Sequence, residues 1–250
     1  MREGPIPVFA GPSLPPGARP DGPFAWHPPA AAGDIIRLLD RPPARLCLID
    51  GFFDSRPAPW HKELLQLMAA GTLVFGASSM GALRAAELHR FGMIGVGAIF
   101  RAYRDGSLTG DDEVALIHAT GEFGWAPLSI PMVEFRATLV AACRAHLIDA
   151  DCARRLRSLA HAIHFTDRDW PVLERALVGE GVIDAPAFDR LRAMHVPLKR
   201  QDALECLAVA LAWTERARPC APPPDTAFIR RLAEEMRQAG SAPPPPPARR

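Results

Sequence analysis

At 250 residues, 48% of them hydrophobic and with a mean hydropathy of +0.01, the chain is long enough for a full core and reads as one or two globular domains. A net charge of +1, with basic residues scattered through the helical stretches, argues against a polyanionic partner such as nucleic acid. Five cysteines without a C-x-x-C pair predict neither a disulfide framework nor a zinc knuckle, and reduced thiols fit a cytoplasmic location. No signal-peptide pattern opens the chain and no apolar run is long enough for a membrane helix, so neither secretion nor membrane insertion is expected.

Residues 1–30 are punctuated by proline. Within them only Pro7-Val8-Phe9-Ala10 reads as a strand, leading into Gly11-Pro12-Ser13-Leu14, and the remainder reads as extended loop. Ala32 to Asp40 predicts a short helix, and Arg45 to Asp50 is a near-continuous apolar run suited to a buried strand. Pro59 to Ala70 predicts a helix stopped by Gly71, and Thr72 to Gly76 the next strand. Strand, helix and strand in this compass make a βαβ unit with parallel strands. An Ala- and Leu-rich helix then runs to Arg90, with Gly92 as its C-cap and Gly95-Val96-Gly97 as a loop or a tight packing point. No G-x-G-x-x-G follows a strand there, which removes a dinucleotide fingerprint. The acidic stretch Asp105 to Glu113 fails as a calcium loop, because Leu116 stands where a bidentate glutamate is required. It reads as a turn and an N-cap before a helical Val114 to His118.

From Pro131 the pattern changes to helices: Val133 to His146, Asp151 to His164, Trp170 to Gly179, Ala185 to Met194 and Gln201 to Arg216. A last amphipathic helix, Asp225 to Gln238, carries Phe228, Ile229, Leu232 and Met236 on one face, between proline runs that cannot build a core. The expected fold class is α/β, with a small, mostly parallel sheet and flanking helices in the N-terminal half, a helical C-terminal half, and a disordered Pro-rich tail. The corresponding divisions are 1–130, 131–218 and 219–250.

The sharpest chemical signal lies in Thr72 to Arg90, where a strand, a tight turn and a helix enclose Gly76-Ala77-Ser78-Ser79-Met80-Gly81. The order resembles the nucleophile elbow G-x-S-x-G of serine hydrolases, with Ala77 in place of the first glycine. Ser79 is then the nucleophile, and the N–H groups of Met80 and Gly81 at the helix start face a developing oxyanion. The competing reading makes Ser79 a helix cap. The crossover helix of the βαβ unit starts at the edge where the strands end, so His61 and Lys62 are expected beside Ser79, with Ser13, Asp50 and Ser78 at the same edge. Ser13 competes as nucleophile, although Pro12 beside it suits a turn. Arg84 and Glu87, spaced i, i+3, are either a surface pair or anchors for a substrate tail or a partner. His161 and His164 share a helix face but have no third ligand in pattern, so no metal is expected.

Lysine occurs only at positions 62 and 199, which leaves 27 of the 29 basic residues as arginine. Genome composition accounts for much of that bias. It also singles out each lysine as a place where a removable proton matters, since arginine keeps its own.

With these residues in hand, the chain resembles the TfuA-like family, encoded beside YcaO enzymes that make peptide backbone thioamides. The resembling segments are Phe9 to Leu14, Asp50-Gly51-Phe52-Phe53, Trp60-His61-Lys62-Glu63, Phe75 to Leu88, Phe91 to Gly97 and Asp111 to Ala115; past about residue 130 the likeness weakens. The resemblance implies a hydrolase of a thiocarboxylated ThiS-like sulfur carrier that uses a Ser-Lys pair, supplies sulfide to a YcaO partner and supports precursor-peptide binding by that partner. Ser79 is the serine that matches. The crossover geometry favours Lys62 as its base, and Lys199 is the alternative if the helical half closes over the sheet edge. His61, Arg84 and Glu87, with Ser13, Asp50 and Ser78, are the expected substrate or partner contacts. No cofactor is expected, since the chain has no P-loop and ATP would belong to the partner. The second functional class is a non-catalytic adaptor that binds YcaO and the carrier and promotes peptide binding without cleaving anything.

Overall fold

The computed structural model describes residues 4–53, 56–215, 217, 221–224 and 226–241. The Pro243 to Pro247 run lies outside the described residues, as do 218–220, 225 and the rest of the expected tail after Ser241. Five strands form one parallel sheet: β1 (Ile6–Phe9), β2 (Phe24–His27), β3 (Arg45–Leu48), β4 (Leu73–Gly76) and β5 (Ile94–Gly95), in the spatial order β2-β1-β3-β4-β5. Strand β3 is the centre, and Leu46, Cys47 and Leu48 are buried on both of its faces, which is why Arg45 to Asp50 carries no polar alternation. Helix α1 (His61–Ala69) joins the parallel neighbours β3 and β4, as the βαβ pattern requires.

Alternation along the strands divides the core in two. Leu46, Leu48 and Val74 face α1, α2 (Met80–Leu88) and α3 (Gly97–Arg104), meeting Leu64, Leu67, Ala82, Ala85 and Ile99. Val8, Cys47, Ile49 and Phe75 face the other way, onto Ala203, Cys206, Leu207 and Ala210 of α8 (Leu198–Ala212). Helix α8 therefore returns from the far end of the sequence to cover the second face of the sheet. A third cluster, built on Phe135, Leu139, Leu156, Leu173, Leu177 and Phe188, holds together α4 (Met132–Arg144), α5 (Ala150–Ala162), α6 (Trp170–Gly179) and α7 (Ala185–Ala193). Helix α9 (Ala227–Ser241) lies against the 3-10 helix Ile36–Asp40, with Ile229 buried.

Several local expectations change. Phe24–His27, read as loop, is the edge strand β2, and Gly95-Val96-Gly97, read as a loop or a tight packing point, is the end of β5 and the start of α3, where both glycines are indeed tightly packed, against Phe100 and Asp202. Both strands are short and lack the apolar alternation that a longer strand displays. Helix α3 is set in place by Asp202 of α8, which accepts hydrogen bonds from Ala98 N (3.0 Å) and Ile99 N (2.8 Å), a capping contact made across 103 to 104 residues. Ala32 to Asp40 closes into a 3-10 helix over Ile36–Asp40 only, while Glu63 of α1 accepts hydrogen bonds from Gly33 N and Ile36 N. After the 3-10 turn Asp111–Glu113, residues 114–118 run without helix and form a wall.

The join between sheet and serine turn is close. A Cβ placed on Gly81 would run into the backbone carbonyl of Leu48, and one on Gly76 into the carbonyl of Gly81. Both obstacles are backbone, so neither can swing aside as a side chain would. Gly81→Ala is therefore expected to cost more than about 3 kcal/mol or to prevent folding. Chemical denaturation of the variant beside Gly92→Ala, where a Cβ would have no neighbour within 4 Å, checks this against a glycine whose problem is backbone conformation alone.

Candidate functional site

The order of the strands reverses between β1 and β3, and the loops that leave these two strands diverge there to opposite sides of the sheet. Such a fork exposes backbone N–H groups with no ladder partner. Asp50, just after β3 and buried, satisfies them: one carboxylate oxygen accepts from Gly11 N (2.8 Å) and Ser13 N (3.0 Å), and the other from Ser13 Oγ (2.6 Å). Ser78 Oγ in turn donates to Ser13 Oγ at 2.8 Å. The chain Asp50, Ser13, Ser78 thus links the loops after β1, β3 and β4.

Ser78 has φ +70°, a left-handed conformation that a non-glycine residue adopts at a cost, and it is fully buried with its hydroxyl engaged. This kink turns the next residue toward a cavity of about 290 Å³ lined by Ser79, Asp50, Lys199, Val114, His118, Phe52 and Phe165, among others. Ser79 is the N-cap residue of α2 by position, yet its side chain makes no capping hydrogen bond. The capping role is therefore unfilled, and the hydroxyl belongs to the cavity wall. Ser78, one residue earlier, carries the strain and does not line the cavity.

Helix α8 delivers Lys199 to the same cavity. The residue is buried in the first turn of α8, and its Nζ donates to Val114 O at 2.8 Å. Burial lowers the amine pKa from its usual 10.5, while the carboxylates of Asp50 and Glu134 pull the other way. The positive end of the α8 dipole adds to the cost of a cation there. An amine whose cation is disfavoured, sharing a cavity with a serine hydroxyl that makes no capping bond, is an arrangement in which lysine can activate serine.

Lys62 does not share this place. Its Nζ lies 3.3 Å from Thr226 Oγ1, ahead of α9, and it does not line the cavity. The crossover does start α1 beside the ends of the strands, but the side chain at its second position points outward while Glu63 points in. His61, Arg84 and Glu87 also stand apart from the cavity, as a surface cluster in which Glu87 Oε2 meets His61 Nε2 (2.8 Å) and Arg84 Nη1 (2.7 Å) and Arg84 Nε bonds Pro59 O. Of the two expected oxyanion donors, Gly81 N is occupied by Ile49 O at 3.1 Å, and Met80 N has no hydrogen-bond acceptor among the described residues. The same close packing that demands glycine at 81 consumes its N–H.

Most of the remaining lining residues were not legible as part of a site, three of them from distant turns and walls. Phe165 and Thr166 come from the turn after α5, and His118 from the wall after Glu113, so the helical half closes one side of the cavity. His161 and His164 diverge, the first 3.9 Å from Glu113 Oε1 and the second 2.8 Å from Thr166 Oγ1. Among the described residues no group of three or more His, Cys, Asp or Glu side chains is placed to hold a metal ion.

Residues 50–169 match the family model described as TfuA-like protein. Over that span the chain is a TfuA-like protein. The matched segment runs from Asp50 through the serine turn to the Phe165-Thr166 turn and so supplies most of the cavity wall, whereas Ser13 and Lys199 lie outside it. No curated protein matches the chain. Among its described residues no helix is long and apolar enough to cross a membrane.

Burial of Lys199 makes a stability prediction with a definite sign. Below its usual 10.5 the amine is protonated in the unfolded chain but disfavoured as a cation in the fold, so the folded state loses stability toward lower pH and regains it as pH rises toward 10.5. Lys199→Met should therefore unfold at higher denaturant than the wild type near neutral pH, with a gap that narrows as pH climbs through 9 to about 10. Urea midpoints across that series test it, and a gap that stays constant or widens would show that the amine is not held in a desolvated state.

Proposed function

We propose that this TfuA-like protein hydrolyses the thiocarboxylate of a small ThiS-like sulfur carrier and supplies the sulfide to a YcaO enzyme for peptide backbone thioamidation. The observation that carries the reading is the shared cavity, where an uncapped serine hydroxyl and a buried lysine amine form parts of one wall. Ser79 Oγ attacks the thioacid carbonyl carbon and gives its proton to the Lys199 amine. The oxyanion of the adduct forms beside the N-terminus of α2, where Met80 N is the available donor. Collapse breaks the carbon–sulfur bond, and the sulfur departs as hydrosulfide carrying one proton. Water then cleaves the ester, which yields the carrier carboxylate and restores the Ser79 hydroxyl.

Asp50 enters as a positioning group, because it fixes Ser13, which fixes the Ser78 kink from which Ser79 projects. The apolar lining, with Phe52, Phe53, Leu116 and Ile117, excludes water from the amine and admits an unbranched chain end more readily than a folded surface. In the adaptor reading the same cavity would hold the carrier's terminus without breaking a bond.

Sulfide release from a thiocarboxylated carrier protein, measured with the purified chain alone, separates the two. Ser79→Ala and Lys199→Ala should each lower release by about 10²–10⁴-fold, the range of a positioned base, and Lys199→Arg should not restore it because guanidinium keeps its proton. Lys62→Ala should retain wild-type release. Unchanged release in the Ser79 and Lys199 variants would overturn the Ser-Lys assignment, and no release by the wild type, with YcaO-dependent thioamidation intact, would leave the adaptor reading standing instead.

A further inference from the structure

Thiocarboxylate hydrolysis exchanges two different ligands at the acyl carbon, sulfur outward and water inward, and both occupy the same side of that carbon in turn. Lys199 serves the other side, where the serine oxygen is bound and released. A second group able to give and then take a proton is useful for that exchange, and the wall after Glu113 carries one. His118 lines the cavity with Ser79 and Lys199. Its Nδ1 lies 2.8 Å from Ala119 O, and since a carbonyl only accepts, Nδ1 holds the proton of the neutral ring. Nε2 therefore has the lone pair, and among the described residues it has no hydrogen-bond partner. The ring packs in a three-ring cluster with Phe52 (centroids 6.2 Å) and Trp125 (5.3 Å), which also touch each other, and an isolated bridge ties His118 to Pro127. Four residues earlier on the same wall, Val114 O receives the lysine amine, so a single short segment sets the positions of both proton carriers.

We infer that His118 is a catalytic acid and base of this cavity, protonating the departing sulfur and then accepting the proton of the incoming water. The inference rests on the Ser79-Lys199 reading. The cycle balances. Ser79 loses its proton to Lys199 as the carbon–oxygen bond forms, and His118, having taken a proton from solvent onto its Nε2 lone pair when substrate binds, gives that proton to sulfur as the carbon–sulfur bond breaks. Water then gives a proton to Nε2 as it bonds to carbon, and the lysine ammonium returns its proton to Ser79 Oγ as the ester opens. Lys199 has then given up the proton it took from Ser79, and His118 again carries on Nε2 the one extra proton with which it entered the cycle and which it can return to solvent.

The test uses p-nitrophenyl acetate and the full chain. Its phenolate leaves without an acid, so acetylation of Ser79 does not need His118, whereas attack by water does. In His118→Gln the first-turnover release of p-nitrophenolate should stay within about twofold of wild type, while steady turnover falls by about 10²-fold and acetyl-Ser79 accumulates by mass spectrometry. Added imidazole should restore part of the turnover of His118→Ala, which a purely structural loss does not permit. Equal retention of both phases in His118→Gln overturns the proposal, as does a parallel loss of both that imidazole fails to relieve in His118→Ala. The serine reading is judged separately: if Ser79→Ala is acetylated and turns over like wild type, or if wild type does neither, that reading fails and His118 with it.

Discussion

The carboxylate of Asp50 is the contact on which the cavity depends. A parallel sheet whose strand order reverses must send adjacent chains apart, and each departing loop then carries N–H groups that no strand can satisfy. One buried carboxylate accepting from Gly11 N, Ser13 N and Ser13 Oγ resolves the problem in the smallest space. Its hydrogen bonds compensate for burying the charge, and they draw the loop after β1 onto the end of β3. The Ser13 hydroxyl, once committed as a donor to Asp50, is left with only acceptor capacity, and Ser78 uses it. That last bond helps hold a left-handed serine in a turn between strand and helix. Removing the carboxylate would relax the kink at one remove, through two hydroxyls, without any direct contact to Ser79 having been changed.

Lysine placement follows from the second face of the sheet. Val8, Cys47, Ile49 and Phe75 form an apolar surface that has to be covered, and α8 covers it. The register of that helix is fixed at both ends of the contact: Ala203, Cys206, Leu207 and Ala210 pack on the strands, and Asp202 caps α3. With those positions set, Lys199 has one turn's separation from Asp202 and falls at the rim where β1 and β3 end. Packing that has nothing to do with chemistry thereby carries an amine to a place where its charge is disfavoured. Lys62 sits in an equally early turn of α1, but there the inward position belongs to Glu63, whose carboxylate accepts from Trp60 N, Gly33 N and Ile36 N. One residue of helical rotation, about 100°, separates a side chain that enters the interior from one that meets Thr226.

Much of the fold could be read from the chain because its signals are local. The run Arg45 to Asp50, the crossover and the serine turn each occupy a few consecutive residues and depend on apolar periodicity or on glycine. Ser13, Asp50 and Ser78 could be placed at one edge because that edge follows from parallel topology alone. The choice between Lys62 and Lys199 is of another kind. It turns on which face of α1 points inward and on the return of α8 across a sheet from which it is separated by more than a hundred residues, and neither is written in a short window. His118 was invisible for the same reason. It lies in an irregular wall, where no period applies, and its surroundings come from a backbone carbonyl at the neighbouring residue and from a cavity formed by distant turns. The occupied Gly81 N–H shows the limit at its smallest scale, since the helix start was expected correctly but the approach of Ile49 O to it is a tertiary fact.

Scarcity of lysine alone pointed equally to two residues, and only burial distinguishes them. At position 62 an arginine would place its guanidinium beside Thr226 with little consequence. At position 199 it would bring a larger group that cannot shed its charge into a desolvated wall whose nearest fixed acceptors are the Val114 carbonyl and the carboxylates of Asp50 and Glu134. A composition that drives nearly every cation to arginine therefore meets physical resistance at one of its two exceptions. The resistance there arises whether or not the amine takes a proton from Ser79, because lysine can be buried as a neutral base and arginine cannot. In the proposed mechanism, catalysis makes use of a state of lysine that burial already favours.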